Sequence, residues 1–410
     1  MCHTMISAGE ALELVMQAAS PRPPRPVPLA EACGLCLAED VFADRDYPPF
    51  ARATMDGFAV RLADAGRTVT VLGEIPAGCV SGSDLGNGQC LEISTGAVCP
   101  PAAEAVVPGE HVARREGRVL LPAKIEMGQN IAPQGSECRQ GRRVLAAGDV
   151  VTPLAMAVMA SFGVLSIRVV PRPSIGIITT GAELIPPGRQ PAPGKIRDAN
   201  GPMLLALASA MQIERPVHLG ATDRLETIVE TLQRVADRDL VLLSGGVSVG
   251  AYDLVPRALT QYGAEIIFHK VKQKPGKPLL LARKDRQLLF GLPGNPLACH
   301  LGFQRYVAAA IRRMAGQAAV AAPFYGELAQ AVEAKGDRTH FAPARAEYAP
   351  ALRTSWRLEV PPTVSSADIF NSCRANCYVE VPPGNDGLAA GQTAAFTWFA
   401  GPPTAGGGPR

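Results

Sequence analysis

Between Arg172 and Met314 the chain alternates short apolar runs with longer amphipathic ones, and few folds accommodate that order. "SIGIITT" (174–180) reads as a strand and "NGPMLLALASAM" (200–211) as a helix opened by Asn200. "RPVHLG" is a strand and "TDRLETIVETLQRVA" a helix, "DLVLLS" and "QLLFGL" are further strands, and "NPLACHLGFQRYVAAAIRRM" is a long closing helix. Strand and helix follow each other at crossover spacing, which demands a parallel sheet covered by helices on both faces.

A chain of 410 residues is too long for one ordinary core, so several domains are expected. A first amphipathic helix is followed by a stiff connector, "SPRPPRPVP". "TVTVLGEI" and "RVLLPAKI" are short apolar alternations among many glycines, the mark of a small β domain. The expected class is α/β plus β. A helical and linker domain is expected from 1–45 with 142–172, with a small β domain inserted at 46–141. A central doubly wound parallel-sheet domain is expected at 173–318, a C-terminal β domain at 319–400, and a disordered tail at 401–410. The uncharged stretch "VVTPLAMAVMASFGVLSI" (150–167) is interrupted by Pro153, Ser161 and Gly163. It reads as a cap, a buried helix and a strand rather than a membrane span.

Apolar residues make up 47% and charged residues 19%, with a net charge of +3. No run of lysine or arginine argues for nucleic acid, and no signal peptide or membrane segment is apparent. Ten scattered cysteines suit a reducing cytoplasm. Cys33 and Cys36 lie in "PLAEACGLCLAEDV", which reads as helix-like, with Leu29, Ala32, Cys36 and Leu37 near one face as small core groups. Neither that pair nor Cys373/Cys377 has a matching zinc knuckle.

In an open parallel sheet, ligands bind beyond the carboxyl ends of the strands. Three such ends here share an unusual chemistry. "IITTGAEL" offers Thr180, Gly181 and the acid Glu183. "LLSGGVSVGAYD" offers Ser244, Gly245, Gly246 and Ser248, and closes on Asp253. "FGLPGNPLACH" offers Pro293, Gly294, Asn295 as an N-cap and Pro296 as a first helical residue. "KVKQKPGKPLL" adds Lys274, Gly276 and Lys277 around a Pro-Gly turn. Glycines let a ligand approach bare amides, and the carboxylates either bind a metal or handle protons. Each piece also has a plain reading: a turn, a solvated lysine face, or Asp253 as the cap of "LVPRALTQY". On one rim of one sheet they favour a phosphate-bearing ligand.

These motifs carry a family resemblance. "MDGFAV", "STGA", "TTGAEL", "SGGVSVGAYD", "KPGKP" and "LPGNP" occur in the order found in the molybdenum insertases, the molybdopterin molybdenumtransferases, and the chain is also similar to the C-terminal domain of gephyrin. The resemblance implies a homodimer whose active site is shared between subunits. It implies insertion of molybdenum from molybdate into adenylated molybdopterin with release of AMP, assisted by Mg2+. By motif, Asp56, Thr95, Glu183 and Asp253 would be catalytic, with Glu183 and Asp253 also holding the metal. Glu137 in "QGSEC" falls near a position that is acidic in the family. A pterin-adenylating protein and molybdoenzymes would be the neighbouring partners. Ala182 stands where the family often has an acid, and Glu104 replaces an Asp. Asp56 also has a plain reading, since Asp-Gly is a common hairpin turn. Two further functions stay open on the residues: a pterin adenylyltransferase, which needs only the sheet domain, and a non-catalytic pterin-binding scaffold.

Overall fold

A computed structural model describes residues 5–247, 254–318, 322–334, 336–365, 367–384 and 386–399. Two compact units divide the chain, one of residues 1–25 with 170–410 and one of residues 26–169. Helix α1 (Ala8–Ala18) opens with a capping box in which Ser7 and Glu10 satisfy each other's backbone N–H groups. Its buried face, Ala8, Ala11 and Val15, joins the core of the first unit. Residues 1–25 therefore group with the later part of the chain.

The second unit holds a six-stranded sheet drawn from residues 57–120 and a helix, α2 (Pro153–Ser161), capped by the Thr152 hydroxyl. The stretch 150–167 resolves into the expected cap, helix and strand, but α2 is not buried on all sides. Ala155 and Met159 face the core, whereas Leu154 is 76% exposed. "PLAEACGLCLAEDV" departs from the helical expectation. Leu29–Glu31 is one 3-10 turn, and Cys36–Leu37 is a strand. Gly34, with φ +76°, breaks the helix between them.

In the first unit, helices α3 (Asn200–Ala210), α4 (Leu225–Arg234) and α5 (Val255–Gln261) alternate with strands. Helix α6 (Pro296–Gly302) runs through a π-helical turn at Phe303–Val307 into α7 (Ala308–Met314). The sheet order is Val217–Ala221, Ile175–Thr180, Leu240–Ser244, Gln287–Leu292, Leu280–Lys284, Glu265–His269. The first four strands are parallel. Leu280–Lys284 runs antiparallel to both its neighbours, because it turns into Gln287–Leu292 through Asp285, with φ +53°, and Arg286. Leu240, Val241, Leu242 and Leu243 are all fully buried. Both faces of this strand are covered: α1, α3, α6 and α7 contribute to the core on one side, α4 and α5 to that on the other. Each such side chain is worth roughly 1.5–3 kcal/mol when buried, so the register is fixed by the apolar run. That register sets Thr179 beside Ser244 and Ser244 beside Leu292, leaving the polar strand ends in one row.

After α7 the chain forms a β layer from Phe324–Leu328, Thr339–Tyr348, Trp356–Glu359, Cys377–Val381 and Thr393–Trp398. Val271–Lys274 and Ile6–Ser7 extend this sheet at one edge. Among the described residues no helix is long and apolar enough to cross a membrane. The expected tail at 401–410 lies outside the described residues.

Candidate active site

At the carboxyl ends of the parallel strands lies a cleft of about 480 Å3. Thr180, Gly181, Glu183, Ser244, Gly245, Gly246, Pro293, Gly294, Asn295 and Pro296 all line it. The geometry explains the paired glycines. Gly245 has φ +98°, and a Cβ there would stand 2.3 Å from the Thr180 carbonyl oxygen. Gly246 has φ +63° and sits against the Thr180 hydroxyl and Val255. The loop after Ser244 thus crosses the end of the neighbouring strand at a distance only glycine permits. Asn295 occupies the N-cap of α6 and Pro296 its first turn, without a capping hydrogen bond from the asparagine side chain.

The structure does not bring every expected residue to this cleft. Ser248 and Asp253 lie outside the described residues, so the cap reading of Asp253 is not resolved; the N-cap of α5 is Leu254. Lys274 lines a different cavity of about 650 Å3, with His340, Pro361 and Ser365. Lys277 is exposed. Gly276 lies in the turn between them with φ +88°. Pro278, just beyond, reaches the strand-end cleft.

Asp56 and Thr95 meet in the other unit. The Thr95 backbone N–H donates to Asp56 Oδ1 at 2.6 Å and its hydroxyl donates to the same oxygen at 2.8 Å. These bonds, the backbone one foremost, hold the Asp56 carboxyl below its usual range. The hairpin reading of Asp56-Gly57 fails. Gly57 opens the strand Gly57–Val60, its φ lies outside the left-handed region, and a Cβ there would stand 2.1 Å from the Val107 carbonyl oxygen. Glycine is needed for close strand approach, not for a turn. Glu137 is held in an ion pair with Arg52 at 2.9 Å.

Sequence reasoning missed four side chains around the cleft. Asp198, 9% exposed, accepts from Gly201 N–H at 2.9 Å and from the Thr179 hydroxyl at 2.8 Å, and lies 3.4 Å from His218 Nε2. Burial pushes its carboxyl up, but the bonds from His218, Gly201 and Thr179 more than offset this and hold it below the usual range. Asp198 is therefore the residue that satisfies the start of α3, which Asn200 was expected to do. Asn200 instead spans two loops, donating from Nδ2 to Ser244 Oγ at 2.8 Å and to the Gly294 carbonyl at 2.7 Å. Asp223 accepts from the Ala182 N–H at 2.8 Å, and Lys195 Nζ donates to the Ala182 carbonyl at 2.7 Å. Ala182, the residue before Glu183, is thus held through both its N–H and its carbonyl. Asp223 stands two residues past a parallel strand, so the strand-end rule applied to "HLGATDR" would have found it.

Two buried polar atoms of the cleft lining lack a hydrogen-bond partner among the described residues: Thr180 Oγ1 and Asn200 Oδ1. Among the described residues no three His, Cys, Asp or Glu side chains converge as a metal site. Among the described residues of the cleft lining, Asp198 is buried and held by several of the bonds above, whereas Glu183 and Asp223 are exposed acids.

Three family descriptions cover most of the chain: "MoeA N-terminal region (domain I and II)" at residues 6–163, "Probable molybdopterin binding domain" at 176–313 and "MoeA C-terminal region (domain IV)" at 325–399. A molybdopterin molybdenumtransferase of Staphylococcus aureus (strain Mu50) is 33% identical over 398 residues, 95% of this chain and 94% of the relative. One from Staphylococcus epidermidis (strain RP62A) is 33% identical over 399 residues, again 95% and 94%. The crystal structure of a molybdopterin biosynthesis MoeA protein from Pyrococcus horikoshii matches with TM-score 0.81 at 28% identity, covering 97% of this chain and all of that one. With likeness running through both units and the strand-end cleft, the chain belongs to the molybdopterin molybdenumtransferase family.

Proposed function

We propose that the protein is a molybdopterin molybdenumtransferase that takes molybdenum from molybdate into adenylated molybdopterin, releasing AMP. Family membership carries the reaction class, and one structural observation supports its location: Thr180 and Asn200, two residues of the strand-end cleft lining, have buried side-chain oxygens without a hydrogen-bond partner among the described residues. Such atoms cost free energy in an empty protein and are repaid by a polar ligand.

The residues fit the task. Molybdate and a pyrophosphate-bearing pterin are both anions, so their meeting needs donors rather than more charge of the same sign. The Gly245 N–H is already given to the Leu292 carbonyl at 3.2 Å, so close backbone approach to a ligand falls to Gly246 and Gly294. Oxygen leaving molybdenum as water needs protons, and Glu183 and Asp253 are the proposed carriers. Mg2+ typically takes one or two carboxylates and completes its shell with water and phosphate. Glu183, an exposed acid of the cleft lining, fits that demand, and Asp253 is the proposed second ligand. When bound, the ion would neutralise phosphate charge. Asp56 and Thr95 are proposed to act with Glu183 and Asp253 across a homodimer, in the cytoplasm.

The test is incubation of the purified protein with adenylated molybdopterin and molybdate. AMP release together with a molybdenum-bearing pterin is the expected outcome. AMP release without metal transfer would favour nucleotide chemistry alone, and binding without turnover would leave a scaffold.

A further inference from the structure

Asn200 is 8% exposed and lies at the first position of α3, where it ties the ends of two parallel strands together. The orientation of its amide is fixed by chemistry. The Gly294 carbonyl can only accept, so the group 2.7 Å from it is the nitrogen, and the same nitrogen donates to Ser244 Oγ. Both hydrogens of Nδ2 are thereby used. Oδ1 remains buried in a residue of the cleft lining, without a partner among the described residues. Thr180 Oγ1 also lacks a partner among the described residues, but a hydroxyl either donates or accepts and selects nothing. The asparagine oxygen accepts only. A deprotonated phosphate oxygen has no hydrogen to give it.

We propose that Asn200 is a specificity-determining residue whose Oδ1 accepts a hydrogen bond from a neutral N–H or O–H group of the substrate. The non-phosphate end of the ligand then lies at the wall made by Asn200, Ser244 and Gly294. The phosphates, which have no hydrogen to give that oxygen, lie elsewhere in the cleft. This rests on the reading of the cleft as the site for adenylated molybdopterin. That substrate has two neutral donor-bearing ends, the pterin ring and the nucleoside, and they share the chemistry Asn200 requires.

Calorimetric titration with molybdopterin, AMP and inorganic pyrophosphate separates the cases. It is run on the wild type, on Asn200→Ala, and on Ser244→Ala, which loses one brace contact but keeps the acceptor. Asn200→Ala is expected to weaken one organic probe about tenfold more than Ser244→Ala does, the loss of one neutral hydrogen bond, with pyrophosphate changed less than about twofold. Loss for molybdopterin assigns the pterin end, and loss for AMP assigns the nucleoside end. An equal loss for pyrophosphate, or no organic loss beyond that of Ser244→Ala, overturns the proposal. Should Asn200→Ala fail to fold, the wild type is titrated with ring-N-methylated pterin and with AMP analogues lacking the amine or the ribose hydroxyls. Undiminished affinity for all of these overturns the proposal equally. A wild type that binds neither molybdopterin nor AMP refutes the functional reading instead.

Discussion

Gly245→Ala isolates the crossing of two strand ends on which the cleft depends. Two costs add. An L-residue at φ +98° bears left-handed strain, about 1–2 kcal/mol. The new methyl would also stand 2.3 Å from the Thr180 carbonyl oxygen, and that backbone belongs to a fully buried strand that cannot swing aside. Relief requires the loop or the strand end to move by more than 1 Å, an overpacking cost of about 1–3 kcal/mol. The sum is about 2–5 kcal/mol. Gly391 supplies the control: it has φ +77° in the same unit with nothing within 4 Å of its would-be Cβ, so Gly391→Ala should show the strain alone. Gly246→Ala, with its nearest atoms at 3.2 and 3.3 Å, should fall between. Thermal unfolding read by calorimetry orders the three, at roughly 2–4 °C per kcal/mol for a unit of this size. A Gly245→Ala protein no less stable than Gly391→Ala would refute the claim that the backbone crossing excludes a side chain.

Asp253→Asn should keep its fold and lose at least about a hundredfold in AMP release, as for a metal-holding or proton-handling carboxylate; near-normal turnover would remove it from the site. Asp56→Asn and Asp253→Asn homodimers, mixed and allowed to exchange subunits, should recover about a quarter of wild-type activity, because half the dimers are mixed and each has one intact cleft of two. No recovery, with exchange confirmed by mass, would reject a shared site. Lys274→Ala and Lys277→Ala should weaken molybdopterin binding by roughly 1.5–3 kcal/mol if either meets a phosphate; unchanged titrations would leave both lysines as solvated charges. His300 is held neutral by burial, its pKa lowered to about 4, with its Nδ1 2.8 Å from the Tyr378 hydroxyl. Its folded pKa lies below the unfolded one, so its contribution is full above pH about 6.5 and is lost as pH falls toward 4, in total about 3 kcal/mol. His300→Gln should flatten that part of the urea-unfolding profile, and parallel profiles for both proteins would refute it.

What could be read from the sequence divides along a physical line. The parallel core was legible because its strands are continuous apolar runs, "DLVLLS" and "QLLFGL", whose burial on both faces is recorded in composition alone. The strand-end loops were legible because glycine and proline mark backbone geometry locally. The antiparallel edge was not, because a turn through Asp285 and Arg286 carries no glycine and its left-handed residue looks like any surface acid. The short segment at 29–37 was misread for a related reason: three or four apolar residues fit a helical face and a strand equally well, and Gly34 decided between them. The side chains around the cleft were hardest. Asp198, Asn200 and Asp223 sit outside the glycine motifs, and their roles depend on which loops lie opposite. In sequence Asn200 is simply a good residue for a helix start, and so is Asp198. Only the tertiary partners separate them. Asp198 takes the Gly201 amide, and this frees the Asn200 amide group to bind Ser244 and the Gly294 carbonyl, 44 and 94 residues further on. The position that local preference assigned to a cap thus became the one whose oxygen is left for a ligand.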